Sequence, residues 1–183
     1  TEPMVIDKAI TLDGNGYKLT SSAARAINVS GADGVTIKDL TIEASGERAI
    51  NVINNSTDVV IDGVVAQAAN YAVNVAGSAA GAKVTIVNSD LTGLNTVNVA
   101  AKNVLVTVKD STILCDDQTP VENYSALALA VEAEGSKIIA TNTAITVNGD
   151  SAKGSVGCEN GTITIDGSES GVVKAVAYIS YGN

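Results

Sequence analysis

Apolar and polar residues alternate along the chain in short runs, each broken by a turn residue. The recurring unit is apolar, x, apolar, x, Asn/Asp/Gly, x, x, apolar. It reads Ile10-x-Leu12-x-Gly14-x-x-Tyr17, Val35-x-Ile37-x-Asp39-x-x-Ile42 and Val59-x-Ile61-x-Gly63-x-x-Ala66. It continues as Val84-x-Ile86-x-Asn88-x-x-Leu91, Val106-x-Val108-x-Asp110-x-x-Ile113 and Ile138-x-Ala140-x-Asn142-x-x-Ile145. A seventh copy, Ile163-x-Ile165-x-Gly167, has Ser170 in place of its last apolar residue. The turn residues at 14, 39, 63, 88, 110, 142 and 167 are separated by 25, 24, 25, 22, 32 and 25 positions.

A second motif runs in phase with the first. Its copies are Ala26-Ile27-Asn28-Val29, Ala49-Ile50-Asn51-Val52, Ala72-Val73-Asn74-Val75 and Thr96-Val97-Asn98-Val99, followed by Ala128-Leu129-Ala130-Val131 without the Asn. Period-two alternation with β-branched residues is the signature of strands with one buried face. Asn, Asp and Gly tolerate the left-handed backbone of a tight bend. After the bend the apolar residue returns at three positions, not two, so a third strand starts on a new face. The fold expected is all-β: a right-handed parallel β-helix, or solenoid, of about seven coils with three short strands per coil. An evenly spaced β-sandwich would not put two motifs in phase at a spacing near 24. A leucine-rich repeat needs a helical return that these short turns do not provide.

Stacked coils superpose equivalent residues. Ile10, Val35, Val59, Val84, Val106, Ile138 and Ile163 form one aliphatic column, and Leu12, Ile37, Ile61, Ile86, Val108, Ala140 and Ile165 a second. Each large side chain buried this way contributes about 1.5–3 kcal/mol. Composition now makes sense: the 183 residues include no Phe, Trp or His, and the five aromatics are all Tyr. A narrow coil closes on aliphatic columns and needs no rings. The missing His excludes Ser-His-Asp catalysis and His-ligated zinc. With 11 Lys plus Arg against 20 Asp plus Glu, the net charge of −9 argues against a nucleic-acid partner. No apolar run is long enough for membrane insertion. Cys115 and Cys158 read as buried thiols rather than a disulfide framework. Asn-x-Ser/Thr triplets at Asn28, Asn54, Asn123 and Asn160 read as incidental.

Residues 1–183 read as one domain. Open strand edges at the two ends of a solenoid, and a tail from Val172 to Tyr181 that looks like more strand, suggest a segment of a longer extracellular protein. They equally suit end-to-end or side-by-side self-association.

The phrases Val35-Thr-Ile-Lys-Asp-Leu-Thr-Ile42, Val106-Thr-Val-Lys-Asp-Ser-Thr-Ile113 and Ile10-Thr-Leu-Asp-Gly-Asn-Gly-Tyr17 resemble right-handed parallel β-helix repeats of the pectate-lyase-like superfamily. The resemblance covers nearly the whole chain. It implies a secreted or cell-surface location. It does not choose an activity, because the superfamily holds polysaccharide lyases, glycoside hydrolases, epimerases, phage tailspikes and non-catalytic adhesins.

Four features are candidate sites. The column Asn28, Asn51, Asn74, Asn98 is expected to face outward. It reads either as a flat sugar-binding strip, since amides donate and accept, or as an amide ladder bonding coil to coil. Arg25, Arg48 and Tyr71, with Asn95, stand three residues earlier and would flank the strip. A Thr column (Thr11, Thr36, Thr85, Thr107, Thr164) is interrupted by Val60 and Ile139. It lies beside the charged and uneven column Asp13, Lys38, Asp62, Val87, Lys109, Thr141, Asp166, so no ice-binding plane is built. The long 110-to-142 spacing holds an insertion in which Asp116, Asp117 and Glu122, with Asn123, would supply oxygens to Ca²⁺ or simply form a solvated acidic loop.

Glycosidic chemistry needs two carboxyls about 5–10 Å apart. Asp39 with Asp62 and Asp90 with Asp110 are the pairs to consider, although Asp39 and Asp110 occupy the bend. No catalytic residue is assigned. The function expected is a non-catalytic secreted or cell-surface module: a stalk, an adhesin or a carbohydrate-contacting surface whose partner is a polysaccharide or a host or cell-surface glycan. The alternative is a polysaccharide lyase or glycoside hydrolase of the same fold.

Overall fold

The computed structural model describes residues 2–117 and 127–149 and the strand segments 156–158, 162–166 and 177–178; side chains are described for 2–116 and 127–146. The chain winds as a parallel β-solenoid with three strands per turn. The first turn is β1 (Met4–Ile6), β2 (Thr11–Asp13) and β3 (Lys18–Ser21), and the second is β4 (Arg25–Ser30), β5 (Thr36–Lys38) and β6 (Thr41–Ala44). Then follow β7 (Arg48–Ile53), β8 (Val59–Asp62) and β9 (Val65–Ala68), and β10 (Tyr71–Val75), β11 (Lys83–Val87) and β12 (Asp90–Gly93). The fifth turn is β13 (Asn95–Val99), β14 (Leu105–Lys109) and β15 (Thr112–Asp117). Beyond it come β16 (Leu127–Val131), β17 (Lys137–Thr141) and β18 (Ala144–Gly149), then β19 (Val156–Cys158), β20 (Thr162–Asp166) and β21 (Ala177–Tyr178).

Every third strand joins the same sheet. Sheet A is β1-β4-β7-β10-β13-β16-β19-β21, sheet B is β2-β5-β8-β11-β14-β17-β20 and sheet C is β3-β6-β9-β12-β15-β18. The uninterrupted solenoid is about five turns, not the seven that counting motifs suggests. The motif counts sheet B strands, and its last two copies, β17 and β20, lie beyond residues outside the described ones.

The core is the set of stacked aliphatic columns. Val35, Val59, Val84, Val106 and Ile138 are buried in one column, and Ile37, Ile61, Ile86, Val108 and Ala140 in the next. Sheet B registers them as expected, with Val84 opposite Val59 and Val106 and with Ile86 opposite Ile61 and Val108. Between sheets B and C the bend residue takes positive φ in each turn from the second: Asp39 49°, Gly63 62°, Asn88 50°, Asp110 50° and Asn142 47°. Asn and Asp enter this region at lowest cost after Gly. At the corner from sheet C to sheet A the backbones approach so closely that a Cβ on Gly46 would collide with the Ala23 carbonyl oxygen.

The first turn departs from the pattern. Leu19, not Tyr17, stands opposite Ile42, and Tyr17 is 73% exposed. Asn15 and Gly16 both take positive φ and lengthen this bend by two residues. The Gly14 and Gly16 amides donate to the carbonyls of Lys38 and Asp39.

Candidate functional site

Sheet A brings together Asn28, Asn51, Asn74 and Asn98, in register on successive strands. Their amides form a ladder. Asn51 Nδ2 donates to Asn28 Oδ1 at 2.9 Å, Asn74 Nδ2 to Asn51 Oδ1 at 2.8 Å and Asn98 Nδ2 to Asn74 Oδ1 at 3.0 Å. The row expected to face outward is buried: Asn51 is 1% exposed, and Asn74 and Asn98 are 3% exposed. Alternation places Asn51 opposite in phase to Ile50 and Val52, yet all four residues Ala49–Val52 are buried, and so is every side chain of β13. A buried amide must spend its donors inside the protein, and these spend them on each other. The ladder stops where β16 places Ala130 against Asn98, and Asn98 Oδ1 is left without a hydrogen-bond partner.

Arg25, Arg48 and Tyr71 do form one row at the start of the same strands. Arg25 is in register with Arg48, and Arg48 with Tyr71. All three are partly exposed, unlike the ladder. The Arg48 guanidinium lies 5.3 Å from the Tyr71 ring centroid, a cation–π distance. Arg48 Nη2 donates to Glu47 Oε1 at 2.9 Å, while its buried Nε has no partner. Burial holds the Tyr71 hydroxyl above the ordinary tyrosine range, with the Glu132 charge adding to it; Asn70 and Arg48 pull the other way and Glu47 adds a smaller push. Asn95 leaves this row: it is buried, and its Nδ2 donates to Asn70 Oδ1.

Sheet B carries the other two expected columns in the register anticipated. Thr11 lies opposite Thr36, Thr36 opposite Val60, and Thr85 opposite Val60 and Thr107. Asp13 stands against Lys38 and bonds it at 2.8 Å. Lys38, with help from Asn15 N–H, holds the Asp13 carboxyl below its usual range. The second partner of Lys38 is Asp39, at 3.4 Å, and not Asp62. Asp62 and Asp110 instead accept from Asn88 and Asn142 in the following turns. Two open depressions lie on this side of the rod. One, near 320 Å³, is lined by Asn15, Asp39, Thr41 and Gly63; the other, near 380 Å³, by Thr20, Glu43, Ser45 and Gln67. Each is lined by a single carboxylate, one fewer than glycosidic chemistry uses.

Asp116 closes β15 as a partly exposed residue. The Asp117 side chain and all of Glu122 and Asn123 lie outside the described residues, as does the Cys158 side chain. Cys115 is a buried free thiol whose Sγ donates to the Leu94 carbonyl at 3.2 Å. No group of acidic, Cys or His residues suited to a metal occurs among the described residues, and no helix among them is long and apolar enough to cross a membrane.

One feature escaped the sequence reading. A buried hydroxyl follows the bend in three turns: Ser89, Ser111 and Thr143 bond back to the carbonyls of Val87, Lys109 and Thr141. Ser89 and Ser111 also accept backbone amides from the turn below, Val64 N–H and Ser89 N–H. The repeated pairs Asn88-Ser89, Asp110-Ser111 and Asn142-Thr143 were the signal for it.

No family model, no curated protein and no solved structure matches this chain.

Proposed function

We propose that the chain is a non-catalytic, secreted or cell-surface rod of the right-handed pectate-lyase-like kind, which holds a carbohydrate-contacting surface on sheet A. The observation that carries this reading is the in-register row Arg25, Arg48, Tyr71. It is the one place where cationic and aromatic side chains gather on a scaffold whose other polar columns largely bond to themselves. Rigid strands fix such a row better than loops would. The ladder is read as scaffold and not as part of the contact.

The test has two arms. Immobilised polysaccharides, neutral and acidic, should retain the chain, and Arg48→Ala should release it. Retention unchanged by that substitution, or none on any polymer, overturns the reading. Incubation with uronic-acid polymers should release neither reducing ends nor unsaturated products. Cleavage that disappears in Arg48→Ala would establish the enzyme alternative instead.

A further inference from the structure

The charged side chains of this solenoid sort by sign along its columns, with one exception. In sheet B, Asp13 pairs with Lys38 in register, and Lys38 with Asp62. In sheet C, Lys18 faces Glu43 across one strand spacing, and the two bond at 2.7 Å. In sheet A, Arg25 faces Arg48. Strands in a sheet lie about 4.8 Å apart, and like charges directly opposite one another destabilise a sheet. These are the only two arginines in a chain whose net charge is −9, so the repulsion is not the by-product of a basic surface.

The two guanidiniums are also under-used. Arg25 forms no ion pair among the described residues. Arg48 gives one nitrogen to Glu47 and keeps a buried Nε without a partner. A buried donor left unmade costs about 1–3 kcal/mol or more when charged. An anion that reached both arginines would remove the repulsion and use the idle donors.

We propose that Arg25 and Arg48 form a carboxylate-binding site and that its ligand is the acid group of a uronic-acid saccharide. The guanidinium fork matches a planar carboxylate with two parallel hydrogen bonds. Tyr71, next in register, supplies a rigid apolar flank for the sugar that carries the acid. The ligand class rests on the carbohydrate reading above; the anion preference rests on the arginine pair alone.

Titration of the whole chain with hyaluronan tetrasaccharide, which bears glucuronate, and with neutral chitotetraose separates the two. The acidic probe should bind at least about tenfold more tightly, the scale of one charge-assisted interaction. Arg25→Gln should erase that preference, and Arg25→Lys should restore part of it, since charge returns without the fork. Lys102→Gln, remote from sheet A strand starts, controls for general charge and should change nothing. Matched unfolding midpoints for the Arg25 variants exclude loss of fold. Equal binding of the two probes would overturn the carboxylate site and leave the carbohydrate reading standing. A preference that survives Arg25→Gln, or is lost equally in Lys102→Gln, also overturns the site. Failure of both probes to bind overturns it together with the carbohydrate contact.

Discussion

Sheets A and B are stacked from the same turns, yet they treat polar residues in opposite ways. On sheet B the polar columns lie outside, and their membership drifts. One runs Thr36, Val60, Thr85, Thr107, Ile139; its neighbour runs Asp13, Lys38, Asp62, Val87, Lys109. On sheet A the polar column is buried and holds the same residue for four turns, each amide bonded to the last. Water forgives a mismatched exposed pair, which is worth little either way. A buried amide has only its neighbours, so each Asn fixes the identity of the next. Constancy within a column therefore reports burial more faithfully than polarity does.

The largest effect tests what both sheets share. Ile61→Asp places a carboxylate in the middle of a buried aliphatic column, and the chain should lose cooperative unfolding altogether, a cost above about 4 kcal/mol. Thr85→Asp on the outer face of the same sheet should leave the denaturation midpoint nearly unchanged. A folded Ile61→Asp variant would mean that the turns are not held by that column.

Asn74→Ala comes next, because it removes two ladder bonds and strands Asn51 Oδ1 and Asn98 Nδ2. The expected loss is about 2–3 kcal/mol by chemical denaturation. Asn98→Ala should cost about 1 kcal/mol, since Asn98 makes one ladder bond and already carries an orphaned oxygen. Equal losses would break the distinction between interior and terminal rungs.

The smallest effect belongs to sheet B. Lys38→Met removes the main partner of Asp13, so the Asp13 carboxyl should return toward its ordinary range in an NMR titration. Because the folded pKa is depressed, the stabilisation from this pair exists above the unfolded carboxylate range and vanishes as pH falls through the folded value. In the variant that acid dependence should disappear while the neutral-pH midpoint stays within error. A clear drop at neutral pH would give the exposed pair the weight assigned here to the ladder.

The sequence made the solenoid legible because its rules are local. A period of two, a left-handed bend residue and a fixed return distance are visible at Val84-x-Ile86-x-Asn88, and the structure places those residues as read. The errors arose where a non-local fact decided. Alternation marks Asn51 as out of phase with Ile50; it does not say that both sides of that strand are buried. Tyr17 fits the spacing of the motif, but two residues in a wider bend hand its place to Leu19. The row Arg25, Arg48, Tyr71 was readable as a column, whereas the idle Nε of Arg48 depends on which neighbours failed to arrive.

The amide ladder ends between β13 and β16, the joint at which the chain also spends its longest spacing, from Asp110 to Asn142. In a solenoid, stability is a sum over neighbouring joints, and the joint with the fewest bonds parts first. On sheet A every joint from β4 to β13 is pinned by an amide, and this one is not. The rod thus has a seam, and heat or tension should divide it there into a firm leading block and a looser trailing one.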